Sequence, residues 1–170
     1  MPEEAIVAPV AVRRATADDA DAIAAVHVRT WQGAYRDVFP PEALDAIAVE
    51  PRALAWRAQL AGGPVSAFVD EELTGFASVG PSRDEQGAGE LYAIYVLPER
   101  WGSGLARELL AAAEAELRGL GYAEATLWVL EANPRARGFY ESCGWALDGA
   151  AKTDVHLGVD VAELRYRKAL

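Results

Sequence analysis

One segment combines a strand end, a glycine-containing loop and a helix start: Val96-Leu97-Pro98-Glu99-Arg100-Trp101-Gly102-Ser103-Gly104-Leu105-Ala106-Arg107. The chemistry of such a segment is anion binding. Glycine lets the main chain turn sharply and approach a ligand closely, so successive N–H groups can point at a phosphate, while the helix macrodipole adds roughly half a positive charge at its N-terminus. Two phosphate-binding loops of defined spacing are excluded by particular residues. A P-loop requires Gly-Lys-Ser/Thr at the helix start, and Gly104-Leu105-Ala106 has neither the ammonium nor the hydroxyl. A dinucleotide fingerprint, G-x-G-x-x-G, requires glycine where Arg107 stands.

A second segment reads Asn133-Pro134-Arg135-Ala136-Arg137-Gly138-Phe139-Tyr140-Glu141-Ser142-Cys143-Gly144-Trp145. Asn followed by Pro is a helix start, with Asn133 as N-cap. Cys143 is the only cysteine, so no intrachain disulfide can form. It lies in a turn-like Ser-Cys-Gly with neither His27 nor His156 near it in sequence, which argues against a thiol nucleophile. Two histidines and one cysteine do not make a structural zinc set, and no metal site is expected.

Taken in register, the two segments resemble the coenzyme A-binding halves of the GCN5-related N-acetyltransferases (GNAT). The family's first half, Gln/Arg-x-x-Gly-x-Gly/Ala, is matched by Gly104 and Ala106, with a further glycine at 102. The second half, N-x(6)-Y-x(3)-G followed by an aromatic, is matched by Asn133, Tyr140, Gly144 and Trp145. One position departs: Trp101 stands where the family carries Gln or Arg. With the order of strands, the resemblance covers roughly residues 10 to 169.

The resemblance implies a GNAT-like α+β (mixed α/β) fold, with a central mixed, partly parallel, splayed sheet flanked by helices. It implies acetyl-CoA as co-substrate. The pyrophosphate would rest on the N–H groups of Gly102, Ser103, Gly104, Leu105, Ala106 and Arg107. Pantetheine would lie between the strand ending at Leu97 and the strand at 125–130, bonded to the backbone of Ile94, Tyr95 and Val96, with Asn133 touching the cofactor where the strands diverge. A main-chain N–H near Ile94 or Val96 would hold the oxyanion. Arg100, Arg107, Arg135 and Arg137 are placed to meet phosphates, Arg137 foremost because it lies one helical turn past Asn133; each also reads as a solvated surface charge.

Tyr140 is the candidate acid, since a phenol is protonated at neutral pH and can donate to a thiolate leaving group; its other reading is a packed aromatic beside Phe139. Glu90 stands eleven residues before Trp101, the offset at which the histone-acetylating branch carries its catalytic glutamate. It reads as the base, directly or through a water relay, or as a solvated charge opening a strand. In the family the first helix and the loop between the last strands shape the acceptor pocket, which here implies Trp31, Gln32 and Tyr35 facing Asp154 to His156. The activity implied is transfer of acetyl to a primary amine, on a small molecule or a protein, by direct attack in a ternary complex. A coenzyme A-binding sensor without catalysis and an unrelated nucleotide-binding module are the alternatives. Dimers are common in the family, so a homodimer is compatible with the resemblance.

The elements that must position these residues can be read from pattern. Val10 to Ala15 is β-prone, and Thr16 with Asp19 resembles a helix N-cap. Ala24, Val28, Trp31 and Tyr35 then recur on one helical face. Residues 42–47 and 52–60 read as short helices ended by Gly62-Gly63-Pro64. Val65 to Val69 and Leu73 to Val79 flank Asp70-Glu71-Glu72 as a hairpin, and Gly80 to Gly89 is a polar loop. A strand at 91–97 leads to a helix whose buried face carries Leu105, Leu109, Ala113, Leu117 and Leu120 and which ends at Gly121. A strand at 125–130, a helix at 134–142 and strands near 145–148 and 162–167 complete one domain over residues 1–170, with neither repeat nor linker.

The composition is that of one folded globular domain. The chain has 170 residues, 52% of them hydrophobic and 25% charged, enough for one substantial core. Its net charge of −10 argues against a nucleic-acid partner, because phosphate-backbone affinity needs a basic face. The Met-Pro-Glu-Glu start has the wrong charge for a secretory leader, and no apolar run approaches the ~20 residues that span a bilayer, so the expected location is cytoplasmic.

Overall fold

A computed structural model describes residues 10–170. The N-terminal Met-Pro-Glu-Glu lies outside these residues. Strand β1 (Val12–Arg14) leads through a 3-10 turn (Ala17–Asp19) into α1 (Ala20–Ala34), followed by α2 (Pro41–Asp45) and α3 (Val49–Leu60). Then come β2 (Ser66–Asp70), β3 (Gly75–Pro81), β4 (Gly89–Val96), α4 (Leu105–Gly119), β5 (Glu124–Leu130), α5 (Pro134–Ser142), β6 (Ala146–His156) and β7 (Val159–Ala169). No helix among the described residues is long and apolar enough to cross a membrane.

The strands form one seven-stranded mixed sheet in the order β1-β2-β3-β4-β5-β7-β6. Every neighbouring pair is antiparallel except β4 and β5, which run parallel. That parallel pairing is short: Gly89 pairs with Ala125 and Glu90 with Thr126, and beyond these residues the two strands separate. The expected splay is therefore present, and it leaves main-chain groups of β4 without a strand partner.

Two apolar clusters cover the two faces. Helix α4 buries Leu105, Leu109, Ala113 and Leu117 against Leu91, Val96, Leu127 and Tyr166. Leu120, expected on the same face, is exposed, because the helix stops one residue earlier and Gly121 takes a left-handed φ of +91°. The Tyr122 N–H then returns to the Leu117 carbonyl at 3.1 Å, closing the helix end. On the opposite face Ile23 and Val26 of α1 pack with Phe76 and Leu97, and Trp56 of α3 joins them. Thr16 and Asp19 do meet, the Thr16 N–H bonding the Asp19 carboxylate at 2.8 Å, but they start a 3-10 turn rather than α1 itself.

Two expectations need correction. The last two strands are eleven residues each and pair along most of their length, from Ala146 opposite Arg167 to His156 opposite Val159. The pattern was too short because β6 is an edge strand whose run from Gly149 to Asp154 offers no apolar alternation. The tight turn Leu157-Gly158, with φ of +50° and +76°, is the hairpin signal that was present in the sequence. Leu73 likewise belongs to the β2–β3 turn, at φ +55°, not to β3. There Asp70 is buried but satisfied, accepting from the Thr74 N–H, the Gly75 N–H and the Thr74 hydroxyl.

Candidate functional site

The separation of β4 from β5 opens a single cleft of about 890 Å³, within the range of small-molecule and cofactor sites. Its near wall is the turn after β4 and the start of α4; its far wall is α1 and the β6–β7 hairpin. Leu97 N–H donates to Thr74 O at 2.9 Å, so strand alternation turns the main chain of Tyr95 toward β3 and that of Ile94 and Val96 toward the gap. Tyr95 is thus a correction to the expected set: it is among the lining residues, but its main chain is directed to β3 and its ring stacks on His27 at 5.0 Å between centroids. The Val96 carbonyl is occupied by the Trp101 indole N–H at 2.9 Å.

At the near end Gly102 and Gly104 hold φ of +78° and +87°, a region that side chains disfavour, and both line the cleft with Leu105, Ala106 and Arg107. The N–H groups of the first helical turn have no intrahelical acceptor. The Leu105 N–H reaches Ser103 Oγ at 3.3 Å and the Glu108 N–H takes the Gly104 carbonyl, so those of Ala106 and Arg107, with those of Gly102 and Gly104 in the turn before them, are left as donors for an anion. Ser103 is not in the wall; its hydroxyl caps the turn.

The arginines divide differently from the sequence reading. Arg137 does not line the cleft; its guanidinium bonds the Tyr166 hydroxyl at 3.2 Å and the Glu131 carbonyl at 3.4 Å. Arg100, Arg107 and Arg135 do line it. Asn133 is the N-cap, its Oδ1 accepting from the Ala136 N–H at 3.1 Å, and it borders the cleft, where Nδ2 donates to the Tyr35 hydroxyl at 3.2 Å.

Tyr140 lies on the cleft floor, packed among Phe139, Trp145 and Tyr166. The Tyr166 hydroxyl is tied to Glu141 and Arg137, whereas the Tyr140 hydroxyl makes no hydrogen bond among the described residues. Burial pushes the Tyr140 phenol well above its ordinary value, which keeps it protonated. Glu90 is fully buried and does not line the cleft. Its Oε2 accepts from Arg83 Nε at 2.5 Å, its Oε1 has no partner, and Arg83 covers it from the cleft side. Burial raises the Glu90 carboxyl, with Arg83 opposing. The reading of Glu90 as a solvated charge is overturned.

At the far end Trp31, Tyr35 and His156 come together as expected, the Trp31 ring 5.0 Å from Tyr35 and 5.8 Å from His156. Gln32 does not line the cleft; it donates to the Leu44 carbonyl at 3.1 Å. Sequence reasoning missed Arg83, Tyr92, Trp128, Lys152 and Glu163, which complete this end. No local motif marks them. Glu163 is brought opposite Lys152 by the β6–β7 register, 3.6 Å between charges, and lies 3.3 Å from His156 Nε2. Asp154, His156 and Glu163 offer ligand atoms within 4.8 Å of one another. A metal there would compete with the His156–Glu163 hydrogen bond and the Lys152 ammonium, so the group reads as a polar wall.

Comparison with known proteins agrees with this architecture. A family model described as Acetyltransferase (GNAT) family matches residues 23–145. An uncharacterized N-acetyltransferase, YuaI, of Bacillus subtilis (strain 168) is 41% identical over 106 residues, a match spanning 60% of this chain and 61% of that protein. A putative acetyltransferase of the GNAT family from Desulfovibrio desulfuricans superposes with a TM-score of 0.72 at 25% identity, covering 94% of this chain and 98% of the other. PaiA N-acetyltransferase from Thermoplasma acidophilum, solved in complex with coenzyme A, superposes with a TM-score of 0.74 at 18% identity, covering 96% of this chain and all of the other. With the splayed sheet, the glycine turn and a family match over most of its length, the chain belongs to the GNAT acetyltransferase family.

Proposed function

We propose that the protein transfers an acetyl group from acetyl-CoA to a primary amine by direct attack within a ternary complex. The observation that carries this reading is that one cleft joins the free N–H groups of α4, the main chain of Ile94 and the Val96 N–H left without a strand partner, and the buried Tyr140 phenol. The diphosphate lies on the N–H groups of Ala106 and Arg107. Pantetheine bonds to Ile94 and to the Val96 N–H as an added strand would.

The amine nitrogen attacks the thioester carbonyl carbon from the Trp31 side, and the carbonyl oxygen becomes an oxyanion held by a main-chain N–H of β4. As the carbon–sulfur bond breaks, Tyr140 donates its proton to the departing sulfur. The proton lost by the attacking amine passes by water past Arg83 to Glu90, whose raised pKa makes it a better acceptor than an exposed glutamate.

Release of free thiol from acetyl-CoA, followed across a panel of amines, tests this directly. At least one amine should accelerate thiol release and appear as its N-acetyl product. Tight binding of acetyl-CoA with no amine-dependent release would instead identify a sensor and contradict the proposal.

A further inference from the structure

The motif departs from its family at Trp101, and the structure shows what stands there instead. Trp101 is 38% exposed and anchored by its indole N–H on the Val96 carbonyl at 2.9 Å. The Arg135 guanidinium, from the first turn of α5, lies over that ring with Cζ 3.6 Å from the centroid. The two segments of the cofactor motif are thus joined by a cation stacked on an indole at the cleft's phosphate end.

The other arginines of the cleft are engaged. Arg83 is bonded to Glu90, Arg100 to Glu72, and Arg107 to the Ser142 hydroxyl and the Cys143 sulfur. Arg135 has no ion-pair partner among the described residues. A guanidinium stacked on an aromatic face keeps its N–H edge free for bidentate contact with phosphate, and the stack limits the rotamer freedom that binding would otherwise remove. Trp101 immediately precedes Gly102, so a cation held on its ring stands beside the turn that presents the α4 N–H groups.

Resting on the coenzyme A reading above, we infer that Arg135, held by Trp101, binds the cofactor's diphosphate and replaces the side chain that the family's Gln/Arg position supplies. Trp101 is the positioning residue and Arg135 the binding residue. The role of Trp101 does not follow from the motif, and the stack singles out Arg135 among the four arginines whose positions allowed phosphate contact.

Calorimetric titration of the full chain with coenzyme A and with dephospho-coenzyme A tests the assignment. Arg135→Gln should weaken both ligands by the same factor, about 10- to 100-fold, as expected for a lost charge-assisted contact. It should also flatten the dependence of affinity on salt, which a merely structural change would not do. Arg135→Lys, which keeps charge but loses the planar stack, should fall between. Trp101→Ala should weaken binding, and adding Arg135→Gln to it should cost less than in the native chain. Undiminished binding by Arg135→Gln overturns the inference. A deficit confined to coenzyme A would assign Arg135 to the 3′-phosphate and overturn the diphosphate assignment. Failure of the native chain to bind either ligand would sink the cofactor reading itself, and this inference with it.

Discussion

The two ends of the cleft are built on different principles. The cofactor end is made of main chain: two left-handed glycines, the first turn of α4 and the open edge of β4. The acceptor end is made of side chains drawn from α1, the loop after β3, β4, β5, β6 and β7, with no two neighbours in sequence doing the same work. A main-chain site needs particular residues at fixed spacing, because only they permit the conformation; a side-chain site needs only that topology bring suitable groups together. The first can be recognised from local spacing; the second cannot, and Trp31, Tyr35 and His156 were placed there only by family resemblance. Tyr140 stands where the ends meet.

That junction is where the largest effect is expected. Tyr140→Phe removes the hydroxyl while keeping the ring that packs against Trp145 and Tyr166, so turnover should fall on the order of 10²-fold with acetyl-CoA affinity nearly intact. Equal turnover would make Tyr140 a core aromatic only.

Next comes a change confined to the cofactor end. A Cβ at Gly104 meets nothing within 4 Å, so the cost of Gly104→Val is conformational, arising from φ +87° rather than from a clash. Forcing a side chain into the left-handed region costs about 1–2 kcal/mol, which should weaken coenzyme A binding about tenfold while leaving the acceptor end unchanged. Equal weakening of acceptor binding measured without cofactor would blur the distinction between the ends.

The smallest effect should come from beneath the acceptor end. The folded state raises the Glu90 pKa above its unfolded value, so between those two values the native chain binds more protons than the unfolded one. Native stability therefore declines as pH rises through that window. Glu90→Gln cannot ionise, so its thermal midpoint relative to the native chain should improve as pH is raised across the same window and stay level below it. A difference that does not vary with pH would mean that burial does not raise the Glu90 carboxyl.

The same contrast explains which parts of the molecule were legible. The α4 and α5 boundaries followed from glycine, proline and an N-capping asparagine, each acting on the local chain. The parallel β4–β5 pair followed from a strand–helix–strand pattern, which calls for a crossover, whereas its splay followed only from family resemblance. Arg137 was favoured by its helical spacing from Asn133, yet Tyr166 and Glu131, distant in sequence or outside the helix, hold it away from the cleft. Lys152 and Glu163 could not be paired because the extent of β6 is set by hydrogen bonding to β7 rather than by hydrophobic pattern. Glu90 was located correctly on its strand, but its burial under Arg83 depends on a loop whose path leaves no mark in the residues around Glu90.

Titration of the native protein with coenzyme A in a calorimeter tests the central claim most directly. Binding of one molecule per chain, competitive with acetyl-CoA and weakened by Gly104→Val, is the predicted result. No measurable binding at millimolar ligand, or binding indifferent to Gly104→Val, would contradict a cofactor site built from the main chain of this cleft.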